Sequence, residues 1–315
     1  MPIVDAHHHL WERRDALYAA DELCADTAAT HNVTHTVFVE CVSRYDRNPS
    51  RPEFAPLGET RYVVEQAARM AALGGPRLGA IVGHADLTLG DQLDPVLDAH
   101  LEHGNGLFRG IRHATTHDPD PDMPVGHHNA PAELMRSPAF IEGVRRLGAH
   151  GLTYDAWLYH PQIDEMVELA RACPETTMIL DHLGGPMGIG PYADRHDEAM
   201  AAWRASIESI ATCPNVVIKI GGIGMDNYYG TGLADLDQPA DSDTVVEVWD
   251  ERVQICIDNF GPNRSMCESN FPVDRESLTY PVLWNALQKM TERYSPTERA
   301  DLFSGTATRV YRIVP

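Results

Sequence analysis

Residues 2–10 read PIVDAHHHL, and this stretch opens a buried strand that ends in three consecutive histidines. Side chains alternate between the two faces of a strand, so His7 and His9 point one way and His8 points the other. Two imidazoles on one face can reach a single cation, and zinc is commonly held by such nitrogens at about 2.0–2.1 Å. The alternative is a polar strand end whose histidines are simply hydrogen-bonded, and the rest of the chain has to decide between the two.

Seven further apolar or β-branched runs follow this first strand, and helical patterns separate them. The predicted strands cover residues 35–41, 77–87, 107–113, 151–159, 176–186, 215–223 and 264–274. Most of them are continuous apolar runs, which is typical of a parallel sheet covered on both faces. The predicted helices cover residues 58–73, 91–104, 137–151, 160–173, 197–213, 243–261, 280–294 and 295–313.

Eight strands that alternate with helices over about 300 residues favour an α/β fold of the (β/α)₈ TIM-barrel type. A doubly wound open sheet is the alternative, and it would place a glycine-rich phosphate loop after an early strand. The first strand is followed by HHHLWER (residues 7–13) instead, which argues against that alternative. We see no internal repeat and no low-complexity linker, so we expect residues 1–315 to form one domain.

The composition narrows the class of partner. The chain has 315 residues, of which 43% are hydrophobic, and its 46 acidic residues against 25 basic ones give a net charge of −21. Nucleic acid and anionic membranes are therefore poor partners, since both require concentrated positive charge. A small anionic substrate remains compatible with this charge, because a few arginines in a cleft can reverse the local field.

The six cysteines show no CxxC spacing, and a chain of this size needs no disulfide staples. We interpret them as reduced thiols of a cytoplasmic protein. We find no basic-then-apolar leader and no run that approaches the roughly 18 apolar residues of a membrane span. The oligomeric state is open, and a homo-oligomer is compatible with the sequence.

Three long connections follow predicted strands, at residues 42–57, 114–132 and 224–242. In a barrel they would cover the carboxyl-terminal mouth, where such enzymes place their active sites. The first holds three arginines, the second is rich in Pro, Asp and His, and the third contains Tyr228. The alternative is that all three are ordinary solvated surface loops.

Polar residues that should be rare inside an apolar barrel cluster at the predicted strand ends. They are His7, His9, Glu40, His84, Arg112, His113, Asp155, His182, Lys219, Glu268 and Asn270. A single histidine at a strand end is usually structural, but this many polar groups is harder to explain that way. Because all strand ends of a barrel meet at one mouth, we expect these side chains to surround one site.

Five motifs together resemble the amidohydrolase-related enzymes of the TIM-barrel amidohydrolase superfamily. They are VDAHHHLW (4–11), GIRH (110–113), ILDHLGGP (179–186), CESNFPVD (267–274) and LFSGTATRVYR (302–312). Within the family, the chain is most similar to the branch that contains 2-pyrone-4,6-dicarboxylate lactonase and the sugar-acid lactonases. The resemblance covers essentially the whole chain, and its motifs specify the family much better than the substrate.

The resemblance implies that His7, His9 and His182 hold a divalent ion, Zn²⁺ or a similar one. Three neutral imidazoles can do this, and the ion then polarises a carbonyl or lowers the pKa of bound water. In some members of the family similar histidines act directly on the scissile carbonyl, without a metal. Arg112 is the candidate for a substrate carboxylate, because a guanidinium offers a fork of two parallel hydrogen bonds. Its alternative is an internal ion pair.

Three further residues, His113, Glu40 and Tyr228, are candidates for substrate contact at the same mouth. Lys219 follows a buried run and pairs either with Glu268 or Asp155, or with the substrate.

The chain departs from the family at the eighth strand, where the family usually carries an aspartate that takes a proton from the attacking water. This chain has Asn270, and an amide cannot act as a carboxylate base near neutral pH. Glu268 shares a strand face with Asn270 and is the first candidate for a displaced base. Asp155 is the second candidate, and Glu40 and Asp274 are also near.

The leading functional hypothesis is hydrolysis of a cyclic ester, a lactone that carries a carboxylate. A metal-dependent non-oxidative decarboxylase is the second, because that reaction needs no water-activating base. A catalytically silent barrel that binds a small acid is the third.

Overall fold

The computed structural model describes residues 1–13, 16–29, 31–47, 50–124, 126 and 128–314. Ten strands are present in this part of the chain. They are β1 (Ile3–His8), β2 (Trp11–Arg13), β3 (Ala16–Tyr18), β4 (Val33–Val39), β5 (Arg77–Gly83), β6 (Phe108–Arg112), β7 (Thr153–Ala156), β8 (Met178–Leu180), β9 (Val216–Ile220) and β10 (Ser265–Cys267).

The α-helices lie between and after these strands. They are α1 (Ala20–Thr27), α2 (Leu57–Ala72), α3 (Leu93–His103), α4 (Pro138–Ala149), α5 (Ile163–Ala172), α6 (His196–Ile210), α7 (Asp226–Tyr229), α8 (Ser242–Phe260), α9 (Tyr280–Met290), α10 (Pro296–Ala300) and α11 (Thr306–Val310). None of the helices described is both long enough and apolar enough to cross a membrane.

Eight of the strands form one parallel sheet in the order β1-β4-β5-β6-β7-β8-β9-β10. Its two edges meet, because the Asn270 amide donates to the His7 carbonyl at 2.8 Å and the His9 amide donates to the Phe271 carbonyl at 2.7 Å. The predicted (β/α)₈ barrel is therefore confirmed. Closure brings the carboxyl ends of all eight strands to one mouth, which is what positions the site.

The barrel interior changes character along its axis. At its amino-terminal end a small apolar cluster contains Val4, Val37 and Ala80, and the C-terminal residues Tyr311 and Ile313 close it. A side chain at Gly79 would stand 2.9 Å from Ile313, so glycine allows this plug to seat. Towards the mouth the interior becomes polar. Apolar contacts thus seal one end of the barrel, and charged side chains occupy the other.

Some elements differ from the prediction. The short hairpin β2–β3 and helix α1 were not predicted, and the predicted helix 295–313 divides into α10, a π-helical turn at Asp301–Gly305 and α11. The predicted strands 176–186 and 264–274 are much shorter in the structure, because the backbone at His182 and Asn270 turns into the left-handed region with φ of 54° at both residues. These turns direct the residues after β8 and β10 into the mouth.

Candidate active site

Three buried histidines meet at the mouth, and we call His7, His9 and His182 the histidine centre. His7 lies in β1, His9 directly follows it, and His182 follows β8. The Nε2 atoms of His7 and His9 are 3.3 Å apart, and the ring centroids of His7 and His182 are 4.6 Å apart. The structure therefore brings together the three residues that the sequence selected as metal ligands.

Glu268, just after β10, joins two of these imidazoles. Its Oε1 accepts a hydrogen bond from His182 Nδ1 at 2.7 Å, and its Oε2 lies 3.0 Å from His7 Nδ1. None of the residues that the structure describes donates a hydrogen bond to Oε2 with good geometry. A carboxylate behind an imidazole orients the ring and fixes its tautomer, so Glu268 directs the Nε2 atom of His182 towards the centre.

A buried ammonium group stands beside His7. Lys219 Nζ lies 2.8 Å from Asp155 Oδ2, 2.9 Å from Asp181 Oδ1 and 3.1 Å from His7 Nδ1. Burial disfavours this cation, but the surrounding carboxylates outweigh the burial and raise the pKa of Lys219 to about 12. Lys219 is therefore a permanent charge inside the barrel, and of its predicted partners it pairs with Asp155.

Asp155 also accepts a hydrogen bond from the Tyr311 hydroxyl at 2.6 Å, which ties it to the C-terminal plug.

Sequence reasoning did not select Asp181, although it directly precedes His182 in the motif ILDHLGGP. That adjacency was the available signal, since a residue next to a strand-end ligand also lies at the mouth.

Arg112, the last residue of β6, directs its guanidinium fork at Glu40. Its Nε donates to Glu40 Oε1 at 2.9 Å, and its Nη2 donates to the Glu40 carbonyl oxygen. The remaining nitrogen, Nη1, lies 3.4 Å from His7 Nε2. The geometry is that of an internal ion pair, so only Nη1 faces the histidine centre. The predicted contact between Arg112 and a substrate carboxylate stays a prediction.

A second group of histidines lies on the far side of this ion pair, and we call His84, His113 and His128 the histidine stack. The rings of His84 and His128 are parallel to within 10°, with centroids 3.8 Å apart. His128 Nε2 lies 3.3 Å from Glu40 Oε2, and the His113 ring lies 5.2 Å from the His84 ring. The structure thus places the predicted contact residues Glu40 and His113 in this stack.

The stack is a poor metal site despite its composition. The ring-nitrogen lone pairs of imidazole lie in the plane of the ring, so two parallel rings one above the other cannot both direct a lone pair at one ion. Burial, reinforced by the neighbouring His84, lowers the pKa of His113 to about 3. This imidazole is therefore neutral at ordinary pH and available for hydrogen bonding.

Asn270 has a defined orientation. Its Nδ2 donates to Asp274 Oδ1 at 2.8 Å, and Asp274 Oδ2 in turn accepts from the Gly224 amide at 2.9 Å. Burial raises the pKa of Asp274 well above its usual value. Because Nδ2 of Asn270 is directed at Asp274, the side-chain oxygen of Asn270 is the atom that can accept a hydrogen bond from another group.

Each long connection places at least one ring at the mouth among its described residues. Tyr45 stacks near His84 with centroids 6.5 Å apart, His128 belongs to the stack, and Tyr228 lies 5.8 Å from Trp157. Trp157 itself is 4.9 Å from His182. Tyr228 therefore forms the outer layer of an aromatic wall whose inner layer, Trp157, sequence reasoning missed. Its position directly after β7 was the signal.

The histidine centre has the electrostatics of a cation site. Burial lowers the pKa of His7 and His9 well below the usual value, with Lys219 the next contributor at His7 and Arg112 at His9. The rings are therefore neutral and keep a lone pair, as metal ligation requires. His9 Nδ1 donates to the Val39 carbonyl at 2.8 Å, which leaves its Nε2 as the lone-pair atom.

The spacing fits as well. Two nitrogens bound at about 2.0–2.1 Å to a tetrahedral zinc ion lie roughly 3.3 Å apart, and the two Nε2 atoms of the HxH pair are separated by 3.3 Å. Around the centre the carboxylates of Glu40, Asp155, Asp181 and Glu268 outnumber the cations of Arg112 and Lys219 by two. A divalent ion would balance that difference. Among the described residues, ligand atoms of His7, His182 and Glu268 lie within 4.8 Å of one another, and His9 Nε2 adjoins this group through His7, so these residues fit one.

Comparisons with known proteins agree with the fold and the motifs. A family model described as Amidohydrolase matches residues 4–313. A Sinorhizobium fredii protein named y4mH is 32% identical over 324 aligned residues, which cover 99% of this chain and 98% of that protein. An L-fucono-1,5-lactonase of Burkholderia multivorans is 26% identical, with 98% of this chain and 96% of that enzyme covered.

Among solved structures, an amidohydrolase from Burkholderia multivorans with bound zinc has a TM-score of 0.78 at 23% identity and covers 100% of both chains. The matches confirm the predicted family and branch, and with them the prediction of an enzyme of the hydrolase class. The chain belongs to the amidohydrolase family.

Proposed function

We propose that the protein hydrolyses a cyclic ester by attack of water on the ring carbonyl. The observation that carries this proposal is the convergence of three buried imidazoles with a buried carboxylate, Glu268, at the barrel mouth. The similarity to an L-fucono-1,5-lactonase over 98% of the chain supports a lactone as the substrate class.

His7, His9 and His182 would hold a divalent ion, for which the zinc-bound neighbour of the same fold makes Zn²⁺ the first choice. When bound, such an ion polarises a carbonyl and lowers the pKa of water. Without it, Arg112 Nη1 and His7 Nε2 are the groups that could donate a hydrogen bond to a carbonyl oxygen as negative charge develops there.

Glu268 is the proposed proton acceptor, since its Oε2 receives no well-aligned hydrogen bond from the described residues. A general base has to lie within hydrogen-bond reach of the water that it deprotonates. Asn270, oriented by Asp274, would accept a hydrogen bond from that water and direct its lone pair at the carbonyl. Asp155 is the second candidate for the base, but Lys219 and Tyr311 already engage it.

Substrate contacts are assigned to the groups that line the outer mouth. The histidine stack and Glu40 offer hydrogen-bond donors and acceptors on one side, and Tyr228 with Trp157 forms an apolar surface on the other. A ring with polar substituents on one edge would fit between two such walls. Arg112 Nη1 is the group that could meet an anionic substituent.

A metal-dependent decarboxylase remains the second candidate, and the observation that favours it is Asn270 itself. A decarboxylase requires a metal and a proton donor, but it does not need the carboxylate that this position lacks. A silent barrel that binds a small acid is the third possibility, and turnover of any substrate excludes it.

The deciding experiment is a panel of lactones and aromatic or aliphatic carboxylic acids, with metal analysis of the purified protein. Acid release from lactones, detected with a pH indicator, supports hydrolysis, whereas release of CO₂ from the acids supports decarboxylation. His182→Ala should abolish the activity, and His196→Ala, at an exposed histidine of α6, is the matched control that should retain it. Carbon dioxide release without lactone turnover would overturn the proposal.

A further inference from the structure

Lys219 makes three contacts that match its chemistry. An ammonium group has three N–H bonds, and Nζ of Lys219 has three polar atoms within 3.1 Å. The contacts with Asp155 and His7 have hydrogen-bond geometry, and the contact with Asp181 Oδ1 is an ion pair at 2.9 Å. The two carboxylates are expected partners for a buried cation. The contact with a histidine of the candidate metal centre is unexpected, because it brings a permanent positive charge to the place where a metal would add two more.

Lys219 and Glu268 compete for the same atom of His7. Nδ1 lies 3.1 Å from Lys219 Nζ and 3.0 Å from Glu268 Oε2. It can accept from the ammonium only if it carries a lone pair, and it can donate to the carboxylate only if it carries a proton. The contact with Lys219 has hydrogen-bond geometry, whereas Oε2 receives no well-aligned donor from the described residues. The geometry therefore places the lone pair on Nδ1 and the proton on Nε2.

The contacts of His7 Nε2, on the opposite side of the ring, favour this tautomer more than they oppose it. His9 Nδ1 donates to the Val39 carbonyl, so His9 Nε2 carries a lone pair that can accept from His7 Nε2 at 3.3 Å. Arg112 Nη1 approaches His7 Nε2 at 3.4 Å and would favour the opposite tautomer. This guanidinium contact is the longest of the contacts at the ring that have hydrogen-bond geometry, and the other two nitrogens of Arg112 are engaged by Glu40.

We propose that Lys219 is a positioning residue that holds His7 as the Nε2–H tautomer and thereby opposes the uptake of a divalent ion by the histidine centre. The second half of this statement rests on the ligand assignment of the proposed function, and the first half does not. In the Nε2–H tautomer, Glu268 Oε2 stays open as an acceptor. The Val39 carbonyl holds Nδ1 of His9 and Glu268 holds Nδ1 of His182, so the Nε2 atoms of both rings already face the centre and His7 is the ligand that has to change.

The change conserves protons. Ligation through Nε2 requires the proton of His7 to move from Nε2 to Nδ1, where it donates to Glu268 Oε2, and the number of protons on the ring remains one. The hydrogen bond from Lys219 is lost at the same time. Uptake of an ion therefore replaces the contact between His7 Nδ1 and Lys219 by a hydrogen bond from Nδ1 to Glu268 Oε2.

Tautomers can be read directly by nitrogen NMR, which makes the first half testable without any metal. In the metal-free full chain with ¹⁵N-labelled histidine, long-range ¹H–¹⁵N correlations distinguish Nδ1–H from Nε2–H rings, and His7→Gln identifies the signals of His7. We expect Nε2–H in the wild type and Nδ1–H in Lys219→Met. Nδ1–H in the wild type would overturn the proposal, because Glu268 would then already hold the ring.

Lys219→Met alone leaves two buried carboxylates without their cation and could fail to fold. The double variant Lys219→Met/Asp155→Asn keeps the net charge of the site, and the new amide can still accept from Tyr311. Circular dichroism checks the fold, and the same nitrogen spectra then apply. If the double variant still shows Nε2–H, Lys219 does not select the tautomer and the proposal is wrong.

The second half is tested by titration with Zn²⁺ against a chromophoric chelator. The double variant should bind Zn²⁺ at least about tenfold more tightly than the wild type, the loss expected for one hydrogen bond to a charged group. Asp155→Asn alone keeps the ammonium and should not bind more tightly. Equal affinity of the double variant and the wild type would overturn the claim of opposition. If His182→Ala leaves Zn²⁺ binding unchanged, the ligand assignment fails instead, and the tautomer result still decides the role of Lys219.

Discussion

The histidine centre and the histidine stack contain the same residue types on either side of the Arg112–Glu40 ion pair, yet their geometries differ. In the centre, carbonyl and carboxylate groups hold the Nδ1 atoms of His9 and His182, so the opposite nitrogens face inward. In the stack, His84 and His128 lie face to face, so the in-plane lone pairs of the two rings stay in separate parallel planes. A cation site therefore requires lone pairs that converge on one point, and proximity of suitable residue types is not enough.

Arg112 separates the two groups and touches both. Its fork holds Glu40 on the side of the stack, and Nη1 reaches His7 on the side of the centre. The His84 Nδ1 atom donates to the Arg112 carbonyl at 3.0 Å, so the backbone of the same residue also orients the stack. Changes in one group can therefore be separated from changes in the other only with matched substitutions.

The largest difference in activity and metal content is expected between two alanine variants, one at His182 in the centre and one at His128 in the stack. His182→Ala should lower kcat/KM by about 10³-fold or more, because it removes a ligand of the ion that would stabilise charge on the carbonyl oxygen, and it should also lower the metal content. His128→Ala should leave the metal content unchanged and act on KM. Elemental analysis and steady-state kinetics measure both. If His128→Ala lowers the metal content as much as His182→Ala, the comparison between the groups is wrong.

Two substitutions just after β10, at Glu268 and at Asn270, test which residue takes the proton from the attacking water. Glu268→Gln should lower kcat by roughly 10²–10³-fold, since an amide cannot accept the proton of the attacking water. Asn270→Asp should retain or increase lactone hydrolysis, because it restores a carboxylate at the usual position. Circular dichroism should show both variants folded. Full activity of Glu268→Gln, together with no gain in Asn270→Asp, would reject the displaced base.

A buried histidine outside both groups provides a reference for pH effects. His160 Nδ1 accepts from the Met187 amide at 3.1 Å, and burial lowers the pKa of His160 to about 4. The unfolded chain takes up this proton first, so the stability contributed by neutral His160 is complete above about pH 6.5 and is lost as the pH falls towards 4. The loss amounts to about 3 kcal/mol.

His160→Asn should reduce that dependence, because an amide oxygen can accept from Met187 without titrating. Urea unfolding at pH 7 and at pH 4.5 measures it. A pH dependence equal to that of the wild type would show that His160 does not contribute to acid sensitivity.

The smallest effect is expected at the residue that joins the two groups. Arg112→Lys keeps the charge but loses the fork to Glu40, which should lower kcat/KM by a factor worth about 1–3 kcal/mol. A change in KM alone would indicate contact with substrate, and a drop in thermal stability with unchanged KM would indicate the internal ion pair. Kinetics and stability that both match the wild type would remove Arg112 from the site.

Much of the architecture followed from periodicity in the sequence. Continuous apolar runs between amphipathic helices predict a parallel sheet, and the alternation of strand faces placed His7 and His9 together. Because parallel strands in a barrel end at one mouth, the strand-end residues Arg112, His182 and Glu268 were expected to meet, and they do. The left-handed turns at His182 and Asn270 were not foreseen, so the strands predicted at 176–186 and 264–274 exceed the observed ones by the most.

Which of these polar residues contact one another depends on the tertiary structure. Lys219 and His7 are 212 positions apart in the chain, and Arg112 meets Glu40 across 72 positions. Local pattern determines the face on which a side chain lies and the end of the barrel that it approaches. It carries no information about which charge stands opposite, because that depends on barrel closure and on the depth of each side chain in the mouth. Local sequence patterns therefore specify the barrel and the set of polar groups at its mouth, and barrel closure specifies how those groups pair.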